Sequence, residues 1–383
     1  MMNKKQNIKK LLDGVSVEWK SLGEVAKLTR GRVMSKMYLV ENIGNYPVYS
    51  SQTANNGEIG KINTFDFDGE YVSWTTDGAN AGTVFYRKGK FSITNVCGLI
   101  KIQDNLKLNY KYLFYWLSIS AKKYVYSGMG NPKLMSNQVE KIQIPIPPLK
   151  VQSEIVKILD NFTELTAELT AELTAELTAR KKQYSYYRDT LLSFKDDKIE
   201  WKKFGDIADN LDSMRKPIAS GLRESGKIPY YGASGIVDYV KDYIFDGDFL
   251  LISEDGANLI ARKTPIAFSI SGKTWVNNHA HILKFNTYVE RKFVEYYLNS
   301  IDLTPYISGS AQPKLNQKNL NSIKIPPFSL EKQKQIVTIL DKFDTLINSI
   351  SEGLPYEIEL RKKQYEYYRD MLLTFPKDSD ESN

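Results

Sequence analysis

Residues 180–194 read RKKQYSYYRDTLLSF, and residues 361–375 read RKKQYEYYRDMLLTF. Two near-identical strings separated by 361 − 180 = 181 positions mean that a large part of the chain is written twice. Pro132, Asp160 and Arg180 meet Pro313, Asp341 and Arg361 at the same offset, which holds without a gap from residue 128 to residue 194. Upstream the match loosens: VEWKSLGEVA (17–26) answers IEWKKFGDIA (199–208), and DGEYVSWTTDGAN (68–80) answers DGDFLLISEDGAN (246–258). Solenoid units run roughly 20 to 50 residues, so a repeat of this length is a duplicated domain with its connector.

Within each copy, short runs of β-branched and aromatic residues are punctuated by Gly, Asn and Asp, as in YVSWTTDGANAGTVFY (71–86) and FSITNVCGLIKI (91–102). That pattern predicts a sheet-rich domain with long loops. A short helix is expected over 110–123 and again over 291–300. Proline fixes φ and withholds a backbone donor, so IPIPPL (144–149) and IPPFSL (325–330) are extended segments that close each domain.

A helical periodicity follows each closing segment. Ile155, Ile158, Leu159, Phe162, Leu165, Leu169, Leu173 and Leu177 form one apolar stripe; Ile336, Ile339, Leu340, Phe343, Leu346, Ile350, Leu354 and Ile358 form its counterpart. Each stripe needs cover, and the other is the obvious partner. A continuous helix from Val151 to Phe194 would be about 66 Å long, the dimension of a spacer. Inside it LTAE recurs at 165–168, 169–172 and 173–176 and closes as LTAR at 177–180. Four residues exceed one helical turn by about 40°, so these leucines drift slowly around the axis. Gly353 and Pro355 predict a break in the second helix near Leu354.

The fold class expected is α+β: two homologous sheet-rich domains separated by a pair of long antiparallel helices, related by an approximate twofold. The boundaries expected are 1–150 (first sheet domain), 151–195 (central helix with the LTAE units), 196–330 (second sheet domain), 331–376 (C-terminal helix) and 377–383 (polar tail).

Composition bounds the function. The 383 residues are 42% hydrophobic and 25% charged, as in ordinary globular proteins, with a formal net charge of +7. That charge is uneven: residues 1–150 carry 21 Lys and Arg against 11 Asp and Glu, whereas 196–330 carry 17 against 16. A basic domain suits a polyanion, because neutralising phosphates releases counterions. Cys97 is the single cysteine, which excludes an intramolecular disulfide, and the opening residues lack the apolar core of a signal peptide. A cytoplasmic setting is expected. The longest apolar stretch, 110–121, is too short for a membrane span and contains Lys111.

Motifs of catalysis are incomplete. SGKT (271–274) ends like a phosphate-binding loop, but the first glycine position holds Ala267 and the intervening residues are bulky. IPPF (325–328) resembles the tetrapeptide of adenine methyltransferases, yet Ile325 stands where an Asn or Asp must accept a hydrogen bond from the target amine. His279 and His281 form HxH without the additional ligands that would close a zinc site; one inward and one outward histidine on a strand is expected. No catalytic residue, cofactor or metal is assigned.

Two variable sheet-rich domains, each followed by a helix carrying RKKQYxYYRDxLL, with a TAEL tandem in the first helix, resemble the specificity subunit of type I restriction-modification enzymes, in the subgroup whose repeat number varies. The resemblance covers about residues 11–375. It implies that each domain is a target recognition domain reading one half of a bipartite double-stranded DNA site, and that the antiparallel helices set the gap. It also implies that two modification (methyltransferase) subunits and two restriction (endonuclease and translocase) subunits supply the chemistry.

Base reading requires polar side chains on loops that reach the groove, with cations to position the backbone. The candidates in the first domain are Arg30, Arg32 and Lys36, Ser51, Gln52, Asn55 and Asn56 of the run SSQTANN (50–56), and Asn131 with Lys133. In the second they are Arg215, Lys216, Ser234, Asn258, Arg262, Lys263, Gln312 and Lys314. Lys133 and Lys314 occupy the same place in GNPKL and AQPKL, which favours phosphate over base contact; the shared DGAN suits a turn. Tyr184, Tyr186, Tyr187 and Arg188 with Tyr365, Tyr367, Tyr368 and Arg369 form an aromatic and Arg-rich surface, as interface cores tend to; the partner-binding candidates taken from it are Tyr184, Tyr187, Arg188, Tyr365, Tyr368 and Arg369. The competing reading is a bivalent scaffold binding protein or RNA.

Overall fold

The alternation in FDGEYVSWT, with Val72 and Trp74 on one side and Tyr71 and Ser73 on the other, builds a strand covered on both faces. The computed structural model describes residues 6, 8, 10–127, 130–193, 200–309 and 312–376. Its chain divides into two units, Met1–Ala171 with Glu359–Asn383, and Glu172–Ile358. The expected polar tail at 377–383 and the expected boundary at 195/196 lie outside the described residues.

In chain order the first copy contains β1 (Glu18–Ser21), β2 (Ala26–Arg30), β3 (Ile43–Tyr49), β4 (Glu58–Ile62), β5 (Phe67–Thr75), β6 (Val84–Ile93), β7 (Cys97–Ile102), helix α1 (Tyr110–Ser120) and β8 (Gln143–Ile146). Helix α2 (Leu149–Leu192) comes next. The second copy contains β9 (Lys202–Lys203), β10 (Asp209–Asn210), β11 (Ser225–Gly232), β12 (Gly235–Val240), β13 (Phe245–Ser253), β14 (Ala267–Val276), β15 (Ala280–Lys284), helix α3 (Tyr288–Ser300) and β16 (Lys324–Ile325), and then helices α4 (Leu330–Asn348) and α5 (Leu354–Leu372).

The first unit is built on a six-stranded sheet in the order β2-β7-β5-β6-β3-β4, antiparallel except where β3 meets β6. Its spine is the β5–β6 hairpin, in register from Phe67↔Phe91 to Trp74↔Val84. One sheet face packs Val72, Trp74 and Ile100 against Tyr112, Leu113 and Leu117 of α1; the other buries Phe91, Ile93, Cys97 and Leu99. Asn109 starts α1 by accepting from the backbone amides of Lys111 and Tyr112. Helix α1 is then fastened to the β1–β8 pair by Tyr112, whose hydroxyl donates to Pro145 O, and by Trp116, whose indole donates to Gln143 O.

The second unit repeats this plan strand for strand: β10-β15-β13-β14-β11-β12, with β11 and β14 parallel. SGKT lies inside β14, so it is hairpin strand and not a phosphate cradle. The cores differ by a paired exchange. In the first domain Trp74 donates its indole N–H to Leu134 O, and Gly98 leaves room for the ring, since a Cβ there would lie 2.1 Å from it. At the matching places the second domain has Ile252 and His281, and His281 Nε2 lies 2.7 Å from Leu315 O. The same buried carbonyl is thus satisfied from neighbouring strands, as a buried acceptor requires.

Helix α2 is 44 residues long and begins and ends two residues earlier than the periodicity predicts. In the first unit α5 runs antiparallel to it: Thr163 and Phe162 meet Tyr365 and Tyr368, while Leu159 shares a core with Leu372. In the second unit α4 runs antiparallel to it: Tyr184 and Tyr187 pack on Phe343, while Leu192 shares a core with Ile336. The break predicted near Leu354 is present, as α4 stops at Asn348 and α5 starts at Leu354. Gly353 is required there, because a Cβ would fall 2.4 Å from Thr345 O. Three stripe residues are corrected: Leu165 (57%) and Ile339 (39%) are exposed, and Ile350 falls in the turn at 85% exposed while Ile347 takes the buried place.

Candidate nucleic-acid interface

In the first domain the chain brings several of the candidate residues to one end of the sheet. Arg30, at the end of β2, donates to Thr76 Oγ1 (3.2 Å) and Asn95 O (2.9 Å). Arg32 bridges to Thr94, pairs with Asp66 at 3.0 Å and donates to the Tyr38 hydroxyl. Thr94 Oγ1 bonds to Ser50 Oγ, next to Ser51. Lys133 bridges to Asp77, adjacent to Thr76. Lys36, Gln52, Asn55, Asn56, Asn131 and Lys133 are exposed, and Ser51 is half-buried. Asn55 and Asn56 adopt φ of 49° and 53°, a left-handed pair in the 50–57 connection. Also exposed beside Arg32 and Lys36 are Val33, Met37 and Val40, residues able to contact a thymine methyl and missed by a search for polar types.

The matching end of the second sheet is a charged network. Asp212, Glu254 and His281 converge, with His281 Nδ1 2.5 Å from Asp212 and the ring 1% exposed. The His281 ring is held between the Asp212 carboxylate at Nδ1 and the Leu315 carbonyl at Nε2. Arg215 pairs with Glu254 at 2.6 Å and donates to Ala280 O, and Lys314 pairs with Glu254 at 3.1 Å. Burial pushes the Asp212 and Glu254 carboxyls up, but hydrogen bonds and charge from His281, Arg215 and, for Glu254, Lys314 outweigh it and hold both below their ordinary values. The spacing of the three acidic and imidazole groups would suit a metal; the arginine and lysine already neutralising them argue for an internal ion-pair network. His279, just before the strand, is half exposed and pairs with Asp255 at 2.8 Å. The inward and outward pair is therefore present, although the ligating neighbours of His281 come from residues distant in sequence.

The remaining candidate side chains are placed as follows. Arg215 is 13% exposed and committed to the network, so its guanidinium does not face outward. Arg262 turns to the end of α3, donating to Leu298 O and Ile301 O, where helix carbonyls lack partners. Asn258 holds its own loop, accepting from the amides of Lys263 and Thr264. Lys216, Ser234, Lys263, Gln312 and Lys314 are exposed. On the helices, Tyr368 is 9% exposed against Phe162, and Tyr184, Tyr187 and Tyr365 pack on the opposing helix of their own unit. Arg188 and Arg369 each pair with the next residue, Asp189 and Asp370. Within the two segments Tyr186 (67% exposed) and Tyr367 (52%) face outward most, and Tyr187 keeps 38% of its surface exposed. Burial pushes the Cys97 thiol up to about 11, which makes it inert.

Residues 15–179 and 197–360 each match the family model of the type I restriction modification DNA specificity domain. The chain is 35% identical, over the full length of both proteins, to the type I restriction enzyme EcoR124I/EcoR124II specificity subunit of Escherichia coli. Among solved structures, a chain of the type I R-M system superposes with a TM-score of 0.62 at 16% identity, covering 94% of this chain and 98% of the other. The S subunit of a type I restriction-modification system from M. genitalium gives 0.51 at 19% identity, covering 95% and 98%. The repeated match, the full-length relative and the shared fold agree: the chain belongs to the family of type I restriction-modification specificity subunits, as a non-catalytic protein that recognises DNA sequence.

Proposed function

We propose that each sheet domain reads one half of a bipartite duplex site and that helix α2, with its LTAE units, fixes the unread gap, as in the subgroup with variable repeat number. The observation that carries this reading is the repetition of one six-stranded topology with different polar residues at the matching end of each sheet. Identical architecture with divergent side chains is what two readers of unlike half-sites on one chain require. The reading residues proposed are Arg30, Arg32, Lys36, Ser51, Gln52, Asn55, Asn56 and Asn131 with Lys133 in the first domain. Lys216, Ser234, Lys263, Gln312 and Lys314 serve in the second, with Arg215, Asn258 and Arg262 holding the scaffold behind them. Lys133 and Lys314 take phosphates.

Two modification subunits and two restriction subunits, in a cytoplasmic complex, supply methyl transfer and cleavage. The repeated RKKQYxYYRDxLL segments, with Tyr186 and Tyr367 outward at equivalent positions, offer two equivalent places for a duplicated partner. The test is DNA affinity of the chain assembled with its modification subunit, titrated against salt on cognate and unrelated duplexes. Affinity should fall steeply with salt and differ between the duplexes by on the order of a thousandfold or more. A flat salt response, or equal affinity for every duplex, would refute the proposal.

A further inference from the structure

Arg87, on β6, is 2% exposed, and among the described residues it makes no ion pair. Its Nε donates to Ser73 Oγ (3.0 Å) and its Nη1 to Asn56 O (2.9 Å). The guanidinium lies 3.5 Å from the centre of the Tyr49 ring and 4.5 Å from that of Phe85, while Nη2 is buried without a hydrogen-bond partner. Burying a cation without a counter-ion is unfavourable, and burial does hold this group below its ordinary pKa.

The sheet itself does not need this residue. In the second domain the same register position holds Ile270, and the place of Ser73 holds Leu251; both lie in an apolar cluster packed by Tyr231 and Phe268. What differs above that position is the connection from the edge strand to its neighbour, β3 to β4 in the first domain and β11 to β12 in the second. In the second domain Gly232 pairs with Gly235 in a tight turn, whereas in the first Tyr49 pairs with Glu58 across the longer 50–57 segment. Arg87 reaches from beneath into this longer segment at Asn56 O, where Asn55 and Asn56 stand in left-handed conformations that persist only when surroundings enforce them. Gly57 completes the seat, since a Cβ there would lie 3.0 Å from Nη2.

We infer that Arg87 is a positioning residue for base recognition, holding the 50–57 connection so that the exposed amides of Asn55 and Asn56 read the first domain's half-site. An asparagine amide matches the N6 and N7 edge of adenine in the major groove, so the bases lost with this device are adenines. The inference rests on the reading of two domains for two half-sites, and the second domain is its internal control.

The experiment is selection of bound duplexes from a library randomised across the whole site, using the chain assembled with its modification subunit. Three variants are compared with wild type: Arg87→Ile with Ser73→Leu, which copies the second domain's packing; Arg87→Lys, which keeps charge but loses the planar fork; and Asn55→Gly with Asn56→Gly, which removes the two exposed amides at positions whose left-handed backbone glycine also adopts. Each should lower discrimination at the same adenine positions of one half-site by about tenfold or more, leaving the other half-site and the salt dependence unchanged. If the asparagine pair leaves both motifs intact, the inference is overturned. It is equally overturned if the Arg87 variants weaken both half-sites together, or erase bases that the asparagine pair does not. Failure of the wild-type assembly to enrich two motifs would overturn the functional reading itself, and this inference with it.

Discussion

At the residue scale, the carboxylates of Asp212 and Glu254 are enclosed with Arg215 and His281 and paired from the surface by Lys314, and this governs how the second domain answers acid. Both carboxyls sit below their ordinary values of 3.8 and 4.5, so their stabilising contribution is complete above those values. It is lost as pH falls through the lower folded-state values. Melting temperature should therefore drop as pH falls below about 4.5, and in Asp212→Asn that drop should be shallower; parallel curves would contradict the account. Arg215→Ala leaves the Glu254 carboxylate half-satisfied in a largely buried site. It should destabilise the chain by about 3–5 kcal/mol, seen as a clear fall in melting temperature. The residue types at this end of each sheet were legible in the sequence, but their direction was not. Arg215, Arg262 and Lys133 are all cations beside loops, and only tertiary contact decides that the first is enclosed, the second caps a helix and the third is exposed. Arg87 escaped for the opposite reason: in β6 it reads as an outward-facing strand residue, and only the aromatic cover of Tyr49 and Phe85 marks it as buried.

At the scale of elements, the long helices are fastened to the sheet domains in the same way in both units. In each unit a tyrosine on the short helix donates to an aspartate on the long one: Tyr115 to Asp160 at 2.7 Å, supported by Lys111, and Tyr296 to Asp341 at 2.6 Å, supported by Tyr288. The aspartates fall at equivalent places of the repeat, so the attachment is duplicated. Deleting one LTAE unit shortens α2 by about 6 Å and rotates the helix beyond the deletion by about 40°. The preferred gap should contract by about one to two base pairs with both half-site sequences unchanged, measured by mapping methylated adenines; altered half-site sequences would show that the helix is not the spacer. The period of four, the drift it imposes and the break at Gly353 and Pro355 were all readable from spacing. The exchange of Ile347 for Ile350 was not, because it depends on the residue at which α4 stops.

At the scale of the molecule, the first unit is assembled from segments far apart in the chain. Tyr368, Leu372, Leu373 and Phe375 are buried in the core that also contains Leu22, Ile155 and Leu159, and the Trp19 indole donates to Pro376 O. Each such side chain contributes about 1.5–3 kcal/mol by burial, comparable in sum to the whole stability of a domain. Removing residues 359–383 should consequently expose the first sheet domain to proteolysis while the second remains protected; the reverse pattern would contradict the packing. The duplication announced two similar units, but which helix completes which unit depends on contacts that no repeat offset encodes. The most direct test of the central claim is the base preference of the wild-type assembly, read by selection from a fully randomised duplex library. Two short blocks of preference separated by a stretch of fixed length and no preference are predicted. One uninterrupted motif, or two blocks at freely varying distance, would contradict the account.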